Sequence, residues 1–96
     1  MALPRIGDDN SDLTCLLVDD NEPLLEALEI LLPAEGIDVV GKARTGAEAR
    51  ALLQRHAARV VVLDLRLPDL SGLEVARVAA QTAPGTAVIL YTSHAD

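Results

Sequence analysis

Short runs of consecutive apolar residues alternate along this chain with longer segments in which apolar residues recur every three or four positions. The runs lie at about residues 13–18, 37–40, 59–63 and 87–91, and they are rich in the β-branched and aliphatic residues that favour strands. A continuous apolar run, such as the third, is typical of a strand that is covered on both faces. The pattern therefore predicts four short strands, at least one of which lies between two layers.

The segment after the first strand predicts an amphipathic helix. It begins near residues 21–23 (Asn-Glu-Pro), because Asn can cap a helix and Pro is tolerated in the first turn. Pro33 should end or kink this helix, since proline cannot continue the hydrogen-bond ladder, and Gly36 marks the exit from it. The apolar positions that form one stripe at helical spacing are Leu24, Leu25, Leu28, Leu31 and Leu32.

Two further helices are predicted between the later strands. Thr45 and Glu48 have the spacing of a capping box, which predicts a helix over about residues 46–56. The last segment, about residues 71–82, carries apolar residues at helical spacing and is followed by a Pro-Gly pair that stops it. Strands and helices thus alternate throughout, which is typical of a parallel α/β sheet with right-handed crossovers.

The length of the chain, 96 residues, allows one small domain. We predict a loose leader over residues 1–12, which lack periodicity, and a single domain over residues 13–96. The single cysteine, Cys15, falls inside the first predicted strand, where it is expected to be a small core residue in a reducing compartment. We therefore expect a cytoplasmic protein.

The balance of charge narrows the choice of partners. The net charge is −7, whereas nucleic acids and anionic membrane surfaces attract basic proteins, so neither is expected to bind directly. No apolar run approaches the roughly 20 residues of a membrane span. The N-terminal residues also lack the apolar core of a signal peptide. Function is therefore expected in polar groups that the fold itself brings together.

Carboxylates follow two of the predicted strands. Asp64 closes the third apolar run, and Asp19 and Asp20 follow the first. Thr92 and Ser93 follow the fourth. Ligands of open parallel sheets bind outside the carboxyl ends of the strands, so these side chains are expected to meet at one edge. Three carboxylates would repel one another and call for a divalent cation, and Mg²⁺ prefers such oxygen ligands. A carboxylate beside Mg²⁺ can attack phosphorus and form an aspartyl phosphate.

Three segments together resemble the receiver domains of bacterial two-component response regulators. They are residues 16–20 (LLVDD), 61–72 (VVLDLRLPDLSG) and 88–93 (VILYTS), which appear in the family's order and at suitable spacing. The resemblance covers residues 13–96 and implies a flavodoxin-like parallel sheet with strand order 2-1-3-4. Family receivers continue through a fifth strand and further helices, so the resemblance also implies a domain truncated after its fourth strand.

The resemblance implies a phosphoacceptor site. Asp64 would accept a phosphoryl group from a sensor histidine kinase. Asp20 and Asp64 would ligate Mg²⁺ directly, together with the backbone carbonyl of Arg66, and Asp19 would act largely through water. Such a domain is a signalling phosphoacceptor rather than an enzyme, and only transfer of the phosphoryl group to itself and its later hydrolysis are expected.

Other residues take their roles from the same resemblance. Thr92 would be the switch hydroxyl that moves towards the phosphate, and Pro68 and Gly72 would shape the loop after Asp64. The catalytic lysine of family receivers has no counterpart in this chain. Its only lysine is Lys42, which follows the second strand.

Two other interpretations stay open. Asp19 and Asp20 can simply cap the first helix. Alternatively, the chain is a degenerate or truncated receiver that acts as a phosphorylation-independent module for binding proteins, with its acidic site structural or vacant. Its fourth strand would then be an exposed edge through which the chain could form a homodimer or exchange segments.

Other classes of site fit the sequence less well. Residues 36–43 (GIDVVGKA) nearly match a nucleotide-binding loop, but the intervening residues form an apolar strand and Ala43 lacks the hydroxyl that binds Mg²⁺. Phosphatases of the haloacid dehalogenase type want a second Asp two residues after the nucleophile, where this chain has Arg66. His56 and His94 lack a second His or Cys at metal-ligand spacing, so zinc is not expected.

Overall fold

The computed structural model describes residues 13–69 and 71–92 of the chain. The leader predicted for residues 1–12 lies outside the described residues, as do Ser93 and His94. Four strands alternate with three helices in the described part, in the order β1 (Thr14–Val18), α1 (Glu22–Ala34), β2 (Asp38–Ala43), α2 (Gly46–Arg55), β3 (Val60–Asp64), α3 (Gly72–Thr82) and β4 (Ala87–Tyr91).

The four strands form one parallel sheet in the order β2-β1-β3-β4. The predicted strand order is therefore confirmed. The chain moves outward from β1 to β2 and then crosses back to β3, so the strand order reverses beside β1. Ligands of such sheets bind at this reversal, outside the carboxyl ends of the strands. A binding site is therefore expected among the residues that follow β1 and β3.

Helices cover both faces of the sheet, because successive side chains of a strand point to opposite faces. Cys15 and Leu17 of β1 pack with Leu25 of α1 on one face. The other face packs against α2 and α3. The core on that face consists of Leu16, Val18, Ala43, Ala49, Leu53, Ala58, Val61, Leu63, Val75 and Ala79. None of the helices in the described residues is long and apolar enough to cross a membrane.

Most elements begin and end within one residue of their predicted bounds, but β2 is longer than predicted. It continues past residues 37–40 and spans Asp38–Ala43. Gly41 interrupts the apolar pattern, yet it lies where β1 and α2 approach closely. A Cβ at Gly41 would lie 3.0 Å from a methyl group of Leu16 and 3.2 Å from one of Leu52. Glycine thus permits close packing here rather than ending the strand.

The first helix ends near the predicted position but buries less than predicted. Pro33 lies in its last turn, the helix ends at Ala34, and Gly36 leaves it with a φ of 84°. A positive φ is strained for residues with a side chain, so glycine suits this exit. Leu25 is fully buried, but Leu31 is 59% exposed, so the predicted stripe is wrong at that position. The spacing of the leucines identified a helix but not how much of it the sheet covers.

Gly72 begins α3 where the helix touches the end of β3. A Cβ at this position would lie 2.4 Å from the backbone oxygen of Asp64 and 2.8 Å from the Cα of Leu65. The N–H of Gly72 donates a hydrogen bond of 2.8 Å to the carbonyl of Leu65. The side chain of Ser71 caps the helix by accepting from the N–H of Glu74. The loop between β3 and α3 is therefore closed by backbone contacts that only glycine allows.

Cys15 provides a test of the packing on the α1 face. It is buried in β1, and burial raises the pKa of its thiol to about 11. Since the thiolate is the reactive form, we expect the folded protein to resist alkylation by iodoacetamide at neutral pH. Labelling followed by intact mass should appear only as urea unfolds the chain. Rapid labelling in native buffer would contradict the packing of β1 described above.

Replacing Gly72 should destabilise the fold. In Gly72→Ala the new methyl group meets backbone atoms, which cannot move aside as a side chain can, so we expect a loss of about 1–3 kcal/mol in the free energy of unfolding. Urea denaturation measures this loss. Gly85→Ala is the matched control, because no atom lies within 4 Å of a Cβ at Gly85. Equal stability of the two variants would contradict the close contact at Gly72.

Candidate functional site

Three carboxylates converge at the carboxyl edge of the sheet. Asp19 follows β1, Asp20 follows it directly, and Asp64 is the last residue of β3. Each offers one carboxylate oxygen, and these oxygens all lie within 4.8 Å of one another. Asp19 and Asp64 are fully buried, whereas Asp20 is exposed. Because β1 and β3 are adjacent parallel strands, their carboxyl ends bring the three side chains to one place.

Asp19 is oriented by donors from two parts of the chain. Its Oδ1 accepts the backbone N–H of Asn21 at 2.8 Å, and its Oδ2 accepts the hydroxyl of Tyr91. Asn21 in turn caps α1 by accepting from the N–H of Leu24 at 3.1 Å. A buried carboxylate is costly unless it accepts hydrogen bonds, and both oxygens of Asp19 do so. The interpretation that Asp19 or Asp20 caps α1 is therefore wrong, because the N-cap of this helix is Asn21.

Asp64 lies in a turn that its own backbone helps to form. Its Oδ1 accepts the N–H of Arg66 at 3.0 Å. The N–H of Leu65 donates to the carbonyl of Tyr91 at 2.8 Å, so the pairing of β3 with β4 continues past the end of the strand. Arg66 also pairs with Ser71 in an isolated antiparallel bridge, and its side chain is exposed. These bonds hold the loop after Asp64 beside the carboxylates.

Asp69 ties the same loop to α2, a contact that the sequence analysis missed. Its two carboxylate oxygens accept the N–H groups of Gly46 and Ala47 at 2.7 and 3.1 Å. The first N–H groups of a helix have no partner within the helix, and a carboxylate there is favoured by the helix dipole. Thr45 caps only the N–H of Glu48. The sequence predicts that the first N–H groups of α2 need an acceptor, but it does not indicate that the acceptor is Asp69.

The basic residues at the end of β2 and directly after it are directed towards α1. Lys42 donates to Glu29 at 2.9 Å and lies 3.7 Å from Glu22, and the hydrogen bond to Glu29 raises the pKa of its ammonium group. Arg44 pairs with Glu22 at 3.3 Å. Arg44 and Asp20 both line an open pocket of about 290 Å³ beside the carboxylates. Lys42 of β2 and Arg44, which follows the strand, thus pair with glutamates of the first helix.

Tyr91 is the second residue of the site that the sequence analysis missed. It is the only aromatic residue of the chain and the last residue of β4, paired in register with Asp64. Burial, with the hydrogen bond to Asp19, raises the pKa of Tyr91 above its usual value, so the phenol keeps its proton. Its place at the end of a predicted strand was the available signal. Thr92 follows it and is exposed at the same edge.

The donor set fits a hard divalent cation. Carboxylate oxygens are the ligands that Mg²⁺ prefers, and it usually binds through one or two carboxylates while keeping several waters. Asp20 is exposed beside an open pocket, so water and an ion can reach the cluster. The mutual repulsion of three carboxylates within 4.8 Å would be relieved by such an ion. The residues present therefore suit Mg²⁺ in number and type.

Comparison with known proteins agrees with this geometry. The family profile described as "Response regulator receiver domain" matches residues 15–96. The chain is 39% identical over 85 residues to the probable transcriptional regulatory protein TcrX of Mycobacterium tuberculosis, which covers 88% of this chain and 36% of TcrX. Receiver domains as a family are signalling modules that bind Mg²⁺ at an acidic pocket.

Solved structures share the fold. A CheY-like receiver domain from Methanospirillum hungatei superposes with a TM-score of 0.80 at 30% identity, over 86% of this chain and 66% of that one. A response regulator from Burkholderia pseudomallei, solved with a phosphorylated aspartic acid, calcium ion and citrate, has a TM-score of 0.80 at 27% identity. That match covers 88% of this chain and 49% of the other. The flavodoxin-like fold is therefore confirmed.

The chain is shorter than the proteins that it resembles. It spans between 18% and 50% of the length of eight curated relatives, several of which are transcriptional regulators. The match to the family profile nevertheless covers most of the chain and includes every residue of the acidic cluster. The chain belongs to the response regulator receiver domain family of two-component signalling.

Proposed function

We propose that this chain is a phosphoacceptor domain in which Asp64 takes a phosphoryl group from a phosphohistidine of a sensor histidine kinase. An oxygen of Asp64 would attack phosphorus, the P–N bond of the phosphohistidine would break, and the imidazole would leave and recover a proton. The observation that carries this proposal is the cluster of Asp19, Asp20 and Asp64 at the carboxyl edge of β1 and β3. The kinase would meet the domain in the cytoplasm.

The position of Asp64 supports its role as the nucleophile. It is buried at the end of β3, and the N–H of Arg66 fixes one of its oxygens. Preorganised geometry of this kind reduces the entropic cost of reaching the reactive arrangement. The related response regulator from Burkholderia pseudomallei carries a phosphorylated aspartic acid and a calcium ion. A phosphorylated aspartic acid and a bound divalent cation thus occur together in a solved structure of this fold.

We assign Mg²⁺ to Asp20, Asp64 and the backbone carbonyl of Arg66. Asp20 is the exposed member of the cluster and lies beside the open pocket, so it can meet an incoming hydrated ion. Both oxygens of Asp19 already accept hydrogen bonds from the protein, which favours a contact through water. When bound, Mg²⁺ would neutralise the charge that the phosphoryl group brings to the acidic cluster.

The remaining assignments concern the loop and the hydroxyl group. Thr92 would donate to an oxygen of the phosphoryl group, because it follows β4 and is exposed at the edge where the carboxylates meet. Pro68 and Gly72 would shape the loop after Asp64, and the close packing of Gly72 against β3 supports that role. The domain would catalyse no turnover of other substrates, only its own phosphorylation and dephosphorylation.

A second candidate function is binding of a second copy of the chain without phosphorylation. In the part of the chain that the structure describes, β4 pairs only with β3. Ile89 and Leu90 of β4 are 52% and 38% exposed. An edge strand with exposed apolar side chains is a template for pairing with another strand. A homodimer or an exchange of segments through β4 would cover these residues.

Phosphorylation can be tested on the protein alone. After incubation with Mg²⁺ and acetyl phosphate, we expect the intact mass to increase by one phosphoryl group, since the open pocket beside Asp20 admits a small donor without a kinase. Asp64→Asn should abolish the increase because it removes the nucleophile. Asp38→Asn is the matched control, because Asp38 is an exposed aspartate at the opposite end of the strands and should leave labelling intact.

Two results would contradict the proposal. One is labelling that persists in Asp64→Asn, which would mean that another residue is the acceptor. The other is absence of labelling in the unaltered chain under conditions that label a full-length receiver. In the second case the binding function through β4 would become the better account of the chain.

The second candidate is tested by sedimentation velocity over a range of concentrations. If β4 pairs with a second copy, the unaltered chain should sediment as a dimer at high concentration and Ile89→Lys should remain a monomer, because a charge at the edge opposes pairing. Leu73→Lys is the control, since Leu73 is at least as exposed as Ile89 but lies on α3. A monomer at every concentration would rule out dimerisation through β4.

A further inference from the structure

The hydroxyl of Tyr91 spans the acidic site from one strand to the next but one. It donates to Asp19, which follows β1, whereas Tyr91 lies on β4 and β3 runs between them. Adjacent strands lie about 4.8 Å apart, so the two backbones are separated by roughly twice that distance. Only a long side chain can cross this gap. The ring of Tyr91 therefore extends past the end of β3, where Asp64 lies in register with it.

This contact supplies a neutral donor to a cluster of negative charges. Asp19 has two oxygens, and the backbone of Asn21 and the phenol of Tyr91 each donate to one of them. Lys42 and Arg44 pair with glutamates of α1. The phenol thus satisfies a buried carboxylate oxygen without adding a positive charge, and it does so on the side of the cluster that faces β4.

A hydrated cation that enters the cluster would add a further donor to the same carboxylate. A metal-bound water that contacts Asp19 would donate a hydrogen bond to one of its oxygens, and the Tyr91 hydroxyl already donates a hydrogen bond to this carboxylate. The carboxylate has room for this third donor, but its negative charge is then shared among three donors and drawn towards the cation, so each contact becomes weaker. Binding of the cation therefore weakens the Tyr91 contact, and the contact in turn opposes binding, because such linkage is reciprocal.

We propose that Tyr91 is a positioning residue of the cation site, whose hydroxyl holds Asp19 while the site is empty and is displaced from Asp19 when Mg²⁺ binds. This inference rests on the cation site of the proposed function. It adds a residue that sets the affinity of that site and that reports its occupancy. A purely structural bond from β4 to Asp19 would instead contribute to stability whether or not Mg²⁺ is present.

The composition of the chain makes the displacement directly observable. Tyr91 is the single tyrosine, and the chain contains no tryptophan and no phenylalanine, so all tyrosine emission comes from this residue. A phenol that donates to a carboxylate emits weakly, because the excited state loses its proton to the acceptor. We therefore expect Tyr91 emission to rise as Mg²⁺ is added, with a midpoint equal to the Kd from calorimetry.

Tyr91→Phe tests the affinity. It keeps the ring and removes only the hydroxyl, so the competing donor disappears and Mg²⁺ should bind roughly three- to tenfold more tightly, the worth of one net hydrogen bond. The matched control is Thr86→Val, which also removes one hydroxyl next to β4. Thr86 donates to the carbonyl of Ala58 at 2.6 Å at the opposite end of the strands. Its loss should lower stability and leave the Kd for Mg²⁺ unchanged.

The outcomes separate this inference from the function on which it rests. We expect Asp64→Asn to bind no Mg²⁺ and the unaltered chain to bind it. If calorimetry detects no binding to the unaltered chain either, the cation site and this inference both fail. If Mg²⁺ binds but Tyr91 emission is constant and Tyr91→Phe binds no more tightly, the inference alone is overturned. Should Tyr91→Phe fail to fold, the emission titration of the unaltered chain still decides between displacement and a fixed structural contact.

Discussion

Mutual repulsion among three carboxylates is the constraint around which this edge of the domain is built. Asp19 and Asp64 are buried, and a buried carboxylate is tolerated only where it accepts hydrogen bonds. The donors come from Asn21, Arg66 and Tyr91, which lie at the start of α1, in the loop after β3 and at the end of β4. Hydrogen bonds to two buried carboxylates thus hold three separate segments at this edge.

The strand order explains why those segments can reach the carboxylates. Because β1 lies between β2 and β3, its side chains are buried on both faces, and the acidic residues that follow it emerge at the centre of the sheet. The tight turn at Gly72 and the cap that Asp69 places on α2 then fix the loop after Asp64. The contacts that pack the loop against the sheet thus also position Asp64, so we expect changes that loosen the loop to displace this carboxylate.

The sequence predicted those features that depend on local pattern. The bounds of β4 agree with the predicted residues 87–91, because a Pro-Gly pair before the strand and an unbroken apolar run define it. The extension of β2 through Gly41 was missed because the reason for that glycine is a close approach of Leu16 and Leu52. Contacts between residues distant in sequence, such as Tyr91 with Asp19, depend on strand register and loop paths, which no local pattern specifies.

The backbone and phenol groups that donate to the acidic cluster are neutral, and this bears on the cation that we propose for it. Neutral backbone and phenol donors orient the carboxylates, while Lys42 and Arg44 pair with glutamates of α1. A cationic side chain bonded to the cluster would stabilise the fold but would also compete with the Mg²⁺ that we propose for this site. The neutral donors satisfy oxygens of the buried carboxylates without adding a positive charge of their own. Functional sites commonly retain unfavourable interactions at the expense of stability, and the close approach of three carboxylates agrees with the cation site proposed for this cluster.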